Sequence, residues 1–392
     1  MSRRETAVVA MSGGVDSTVA AALLAREGYE VVGIFMRSGV HSGSEADPNR
    51  RSCCSAEDAL DARMAADKLG IAFHVVNFED EFNRLIDYFC EEYLRGRTPN
   101  PCIVCNRDLK FGRLLRFADA LDAKIVATGH YARVEDPAAT GSASSAAAPG
   151  EDTSAAPDAT VARYRLLKGV DASKDQSYVL FPLSQAVLAR ARFPLGGMLK
   201  KDVRALAAEL GLPVHDKPDS QEICFVPDDD YRTIMRERCA DRLPPPGGII
   251  DAAGKWLGRH NGIHEYTIGQ RHKLGIATGE PVYVTKIDAG TNTITVGRAD
   301  EVACGGLKAS EVNWVSIAEP ERGTVLRAQI KIRYMHAPAG ASVSCEEGDR
   351  VSVAFDVPQR AITPGQAVVF YDDDVLLGGG WIDAATGAGA TP

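Results

Sequence analysis

Two cysteines three apart, Cys102 and Cys105 in the stretch TPNPCIVCNRDLKFG (98–112), have the type and spacing for thiol chemistry. A CxxC pair can be half of a zinc site, a redox dithiol, part of a turn, or the setting of one nucleophilic thiolate. Half a zinc site needs a second ligand pair, yet no second CxxC or CxxH follows and the histidines read as dispersed. A redox dithiol would open a helix straight after a strand, whereas this pair follows the turn-rich RTPNP. The later thiol Cys224, in SQEICFV, stands between apolar neighbours, where a core thiol is the ordinary reading.

A second group with chemical capacity is AMSGGVDSTVAA, starting at Ala10. Two glycines between a strand and a helix allow positive φ and close approach of the backbone to a ligand. Asp16, Ser17 and Thr18 then fall at the helix start, where open amides and the helix dipole favour an anion. No lysine follows the glycines, so this is neither the GxxxxGK[ST] phosphate loop nor the dinucleotide GxGxxG.

The elements that must position these groups are βαβ units. AVVAMS, YEVVGIFM, IAFHVVNF and KIVATGH read as strands, alternating with the helices DSTVAAALLAREG, AEDALDARMAADKLG and KFGRLLRFADALDA. Such alternation predicts an α/β domain on a parallel sheet, with ligands at the carboxyl ends of the strands. Residues 136–160, DPAATGSASSAAAPGEDTSAAPDAT, contain no large apolar side chain and are expected to be a disordered insertion. After SQEICFV, short glycine-punctuated strands and then period-two strands predict a small central α+β domain and a C-terminal antiparallel β-barrel. The expected boundaries are 1–222, 223–297 and 298–392.

At 392 residues the chain is long enough for two or three domains. No segment is long and apolar enough to span a bilayer, and the nine irregularly spaced cysteines do not form a secreted disulfide framework, so a cytoplasmic protein is expected. A net charge of −9 argues against indiscriminate nucleic-acid binding but leaves room for one basic face. The cluster Arg259, His260, His264, Arg271, His272 and Lys273 is the candidate for that face, or else a solvated loop.

SGGVDS resembles the pyrophosphatase loop (PP-loop) of adenine nucleotide alpha hydrolase-like enzymes, which split ATP into AMP and pyrophosphate. TPNPCIVCNRDLKFG, ATGHYAR, KDQSYVL, DKPDSQEICFV, GIHEYTIGQRHKLGI and ITPGQAVVFY extend the likeness, in order, to the tRNA-specific 2-thiouridylase family. That resemblance implies ATP-dependent thiolation of the wobble uridine of tRNA. It implies that Ala10, Met11, Ser12, Gly13, Gly14, Val15, Asp16 and Ser17 hold the ATP phosphates, with Met36 and Gly129 beside the adenosine. Mg2+ would accompany the nucleotide, with Asp16 a candidate to help hold it. Cys105 is the implied nucleophile and Cys224 the implied persulfide carrier, loaded by a sulfur-relay protein or cysteine desulfurase, with a Cys105–Cys224 disulfide on one route. The first CxxC position is commonly Asp in the family, so Cys102 is a departure. Asn100, Pro101, Cys102, His130, Lys174, Asp175, Gln176, Arg333, Tyr334 and Gln366 are the implied tRNA contacts. Taken without the resemblance, His130 could be packing, Lys174 to Gln176 a polar turn, and Arg333 and Tyr334 a solvent face. The rival functions are an amide-forming PP-loop synthetase and a non-catalytic tRNA-binding or sulfur-carrier protein.

Overall fold

The computed structural model describes residues 4–39, 56–140, 163–218, 223–226 and 230–388. Chain order gives strands β1 (Thr6–Ala10), β2 (Glu30–Arg37), β3 (Ala72–Asn77), β4 (Ile125–Ala127), β5 (Ala132–Glu135), β6 (Arg165–Lys168) and β7 (Ala191–Arg192). Five of them form a wholly parallel sheet in the order β3-β2-β1-β4-β7. Successive residues of a strand point to opposite faces, and β1 shows both faces covered. Ala7 and Val9 pack with the helices α1 (Val15–Arg26) and α2 (Ala56–Leu69), while Val8 and Ala10 pack with α3 (Glu79–Leu94). The chain steps outward from β1 to β3 and then returns to the other side of β1 as β4. The ends of β1 and β4 therefore flank a topological switch point, where a ligand crevice opens.

The predicted helix at KFGRLLRFADALDA begins earlier than expected. A helical run starts with α4 (Pro101–Val104), continues as a π-helical segment over Cys105–Arg113, and ends as α5 (Leu114–Ala120). Pro101 stands at the first helical position, where its missing N–H costs nothing. Within the wide turns, a Cβ on Gly112 would lie 3.0 Å from the Arg107 carbonyl oxygen five residues back, so glycine suits the segment. Of the alanine-rich stretch, Pro137–Thr140 forms one helical turn; residues 141–160 lie outside those described, as do Cys53 and Cys54.

The central domain carries β8 (Gly247–Asp251), β9 (Trp256–His260), β10 (Tyr283–Asp288) and β11 (Thr293–Gly297), in the order β10-β11-β8-β9. Aromatic rings fix the chain that leads into it against α3: Phe89 is edge-on to Phe225 at 5.3 Å, and Tyr93 is stacked on Tyr231 at 4.3 Å. Strands β12 (Ala303–Trp314), β13 (Val325–Lys331), β14 (Ala339–Cys345), β15 (Val351–Arg360), β16 (Ala367–Asp372) and β17 (Val375–Ala388) close into the expected antiparallel barrel, because β17 pairs with β12. Their period-two apolar residues fill it, among them Leu307, Ile330, Val343, Val353 and Phe370.

The barrel is joined to the first domain through both sheet and core. The hairpin β5–β6 pairs with the start of β17 and extends the barrel sheet. Tyr178, Leu180 and Phe181 share one buried cluster with Ala367, Val369, Tyr371 and Trp381. Among the described residues, no helix is long and apolar enough to cross a membrane.

Candidate active site

At the end of β1 the chain turns through Gly13, at φ +74°, whose hypothetical Cβ would lie 2.3 Å from the Asp58 carbonyl oxygen. A side chain there is excluded by both conformation and space. Gly14 caps α1 with no side-chain acceptor, so the first-turn amides keep their capacity for an anion. Ser17 and Thr18 tie the turn together: Ser12 N donates to Ser17 Oγ at 3.1 Å, and Thr18 Oγ1 donates to Gly14 O at 2.9 Å. Gly129, after β4, has a similar constraint, since its Cβ would lie 2.7 Å from Ser17 N. Met36 sits half-buried near the end of β2.

The loop lacks its own lysine, and two distant ones reach it. Lys200 Nζ donates to both Asp16 carboxylate oxygens at 2.7 Å, and the Tyr131 hydroxyl donates to Oδ1 at 2.8 Å. Lys217 Nζ donates to Gly13 O at 3.1 Å and to Asp58 Oδ1 and Asp61 Oδ2 at 2.6 Å each. Burial works against the Lys217 charge, but the hydrogen bonds and charges of Asp58 and Asp61 outweigh it and raise its pKa. Neither lysine was found from sequence, where each looks like an ordinary helix or loop lysine.

The turn and its open amides fit the phosphates of a nucleotide. A metal ion held by protein alone does not fit, because the Asp16 carboxylate already accepts from Lys200 and Tyr131. Moreover, among the described residues no group of three His, Cys, Asp or Glu is arranged to hold one. Magnesium in such a site would travel with the phosphates, as it commonly does.

His130 stands between the glycine loop and the π-helical segment that begins at Cys105. It follows Gly129 and is buried, with Nδ1 2.7 Å from Thr128 Oγ1 and Nε2 3.5 Å from Lys110 Nζ in the π-helical segment. An ammonium only donates, so Nε2 accepts and Nδ1–H donates to Thr128. Burial first, and the Lys110 charge second, push its pKa well below the usual value, so the ring is neutral.

Cys102 is solvent-exposed, yet the mass of protein around it raises its thiol pKa, an effect Lys110 only partly offsets. Its thiol is therefore the protonated form at neutral pH. Cys105 and Cys224 are both half-buried and pack against one hydrophobic cluster that also holds Val104, Tyr178 and Phe225. The neighbouring Asn106 Nδ2 donates to Val179 O at 3.0 Å, tying the start of the π-helical segment to the KDQSY loop.

Gln366 grips the cysteine turn from the barrel, its Nε2 donating to Thr98 O at 3.1 Å and Pro99 O at 2.9 Å. Pro101 is buried and Asn100 half-buried in that turn. Gln176 holds Tyr131 through side chain and backbone: its Oε1 accepts from Tyr131 N at 3.0 Å and its backbone N–H donates to Tyr131 O at 2.9 Å. Asp175 is buried, accepting from Gly169 N, Ser177 N and Ser177 Oγ, with Lys331 Nζ 3.9 Å away. Lys174 is half-buried in the same turn. Arg333 and Tyr334, from the loop after β13, are half-buried. Burial, with smaller pushes from Asp175 and Cys102, raises the Tyr334 hydroxyl pKa to about 12.

The expected basic face of the central domain needs correction. His260 and His264, an HxxxH pair that a reading of dispersed histidines passes over, are both buried. His260 accepts from Gly262 N at Nδ1 and donates toward Asn292 O at Nε2, and burial lowers the pKa of both rings. Only Arg259, Arg271, His272 and Lys273 of that cluster are exposed.

Three family models match consecutive parts of the chain. These are the tRNA methyl transferase HUP domain over residues 5–228, the tRNA methyl transferase PRC-barrel domain over 236–298, and the aminomethyltransferase beta-barrel domain over 304–382. A tRNA-specific 2-thiouridylase MnmA of Geotalea uraniireducens (strain Rf4) is 48% identical over 386 residues, covering 98% of this chain and 96% of its own. Its namesake in Geobacter metallireducens is 50% identical, covering 97% and 98%. That of Solibacter usitatus is 47% identical, covering 96% and 98%. At that identity and coverage the chain belongs to the family of tRNA-specific 2-thiouridylases, which are tRNA sulfurtransferases.

Proposed function

We propose that the protein thiolates carbon 2 of the wobble uridine of tRNA in the cytoplasm, using ATP to activate the C2 oxygen and a cysteine persulfide as sulfur source. ATP lies with its phosphates against residues 10–17 and its adenosine near Met36 and Gly129. The uracil C2 oxygen attacks the α-phosphate, pyrophosphate leaves, and the oxygen becomes part of an AMP leaving group. The open first-turn amides of α1 stabilise the charge that develops on the phosphates.

Sulfur arrives on Cys224 as a persulfide, loaded by a sulfur-relay protein or cysteine desulfurase. On one route the Cys105 thiolate attacks Cys224 Sγ and expels hydrosulfide. The hydrosulfide adds to carbon 2, AMP leaves, and a Cys105–Cys224 disulfide remains for an external thiol to reduce. On the other, Cys105 attacks carbon 2 and displaces AMP. The outer sulfur of the Cys224 persulfide then attacks carbon 2 and expels the Cys105 thiolate, which attacks Cys224 Sγ and breaks the S–S bond, leaving 2-thiouridine and the same disulfide. Asn100, Pro101 and Cys102 form the wall met by the uracil. His130, Lys174, Asp175, Gln176, Arg333, Tyr334 and Gln366 contact the anticodon region or hold the groups that do. Gln366 and Gln176 act through the turns they grip, and Arg333 and Tyr334 offer a guanidinium and a ring to an unstacked base.

The observation that carries this reading is that the glycine loop and the segment carrying the cysteine turn lie side by side. Gly129 presses on the start of α1, His130 meets Lys110, and Lys110 in turn acts on Cys102. An amide-forming synthetase has no use for that thiol environment, and methylation, the word in two of the family descriptions, has none for an ATP-splitting loop. The test is mass spectrometry of tRNA nucleosides after incubation with ATP and a persulfide donor. Cys105→Ser and Cys224→Ser abolish 2-thiouridine, while Cys102→Ala leaves measurable product. Complete loss with a folded, tRNA-binding Cys102→Ala protein would sink the assignment of roles.

A further inference from the structure

The Gly13–Gly14 peptide of the phosphate loop is held from behind by one side chain. The three hydrogens of Lys217 Nζ have three acceptors, Gly13 O, Asp58 Oδ1 and Asp61 Oδ2. The backbone that carries Lys217 is itself clamped, since Arg204 donates to His215 O and to Lys217 O at 3.1 Å each. In a trans peptide the C=O and the following N–H point in opposite directions. With Gly13 O drawn toward Lys217 and α2, Gly14 N–H is turned away from them, to the side of the uncapped start of α1. Flanked by two glycines, that peptide plane has little steric resistance to turning over. Turned over, it would offer a carbonyl oxygen where an anion needs a donor.

We propose that Lys217 is a positioning residue that locks the Gly13–Gly14 peptide, so that the loop presents N–H rather than C=O to the phosphates of ATP. The proposal rests on the loop being the ATP site. It also gives the DKPDSQEICFV stretch a second task besides carrying Cys224.

Isothermal titration of the full-length protein with ATP, and separately with tRNA, tests it. Lys217→Met weakens ATP binding at least fivefold and leaves the tRNA Kd within twofold. Lys217→Arg, which keeps a charged donor, recovers most of the ATP affinity. Asp61→Asn, which alters one acceptor but leaves the Gly13 contact, stays within threefold of wild type. If Lys217→Met fails to fold by circular dichroism, Lys217→Gln carries the same comparison. An ATP Kd changed less than fivefold, an equal loss of tRNA binding, or an Asp61→Asn protein as impaired as Lys217→Met overturns the proposal. A wild-type protein that binds no ATP sinks the ATP reading and the proposal together, whereas wild-type binding with an indifferent Lys217→Met sinks the proposal alone.

Discussion

His130 shows how little of a residue's task is carried by its place in a motif. In ATGHYAR it stands at a strand end, where a histidine facing a ligand is a fair expectation, but the ring is buried between Phe111 and Phe193 and bonded to Thr128. Its depressed pKa has a consequence for stability. Above pH ~6.5 the ring is neutral folded or unfolded, and its titration contributes nothing. As pH falls below that value the unfolded chain takes up a proton that the folded one refuses, and stability drops until the folded pKa is reached. Replacing His130 by Gln removes that loss. Urea melts from pH 7.5 to 5.0 are expected to show wild type losing up to about 1.4 kcal/mol per pH unit more than His130→Gln below pH ~6.5, with parallel curves above it. Equal slopes across the range would contradict a buried neutral ring. The glycines of SGGVDS were legible because backbone freedom leaves a mark on residue type. Lys200 and Lys217 were not, because their partners lie 184 and 204 positions away and a lysine carries no sign of its partner.

At the level of elements, the parallel sheet was legible because β-branched runs and helical periods alternate cleanly, and the ligand end of the sheet followed from topology. The π-helical segment was not, since a widened turn keeps nearly the same apolar spacing as an α-helix and only the close approach at Gly112 marks it. The loop after β4 yields a prediction of its own. Gly129 lets that loop lie against the first residues of α1, and an added Cβ would meet Ser17 N at 2.7 Å and the Asp16 carbonyl carbon at 2.8 Å. These are backbone atoms that cannot rotate aside, so Gly129→Ala must spread β4 from α1. The expected result is a protein destabilised by about 1–3 kcal/mol in chemical denaturation, with ATP affinity reduced at least tenfold and tRNA affinity kept. Unchanged ATP affinity would mean that the close approach does not shape the cradle.

Across the whole molecule, the three-part division was visible in changes of sequence texture, but the way the parts are fastened was not. Contacts such as Gln366 to Thr98, or Phe181 to Trp381 at 5.9 Å, join segments with no common local pattern. Trp381 is nearly buried between the barrel and the first domain, so Trp381→Ala is expected to cost about 3–5 kcal/mol. Because first domain and barrel share one core, loss should be seen as one transition shifted to lower denaturant, by fluorescence and circular dichroism alike. Two separated transitions would show that they unfold independently. The β5–β6 hairpin adds a constraint in time. Leu166 and Leu167 pair with Val134 and Arg133 on one side, but on the other side their partners are Leu376 and Val375, roughly 200 residues later. At typical synthesis rates that is a delay of about 10–40 s on the ribosome. Through that interval the nascent first domain holds an unsatisfied sheet edge, so its completion belongs to the release of the finished chain and not to the emergence of its own sequence.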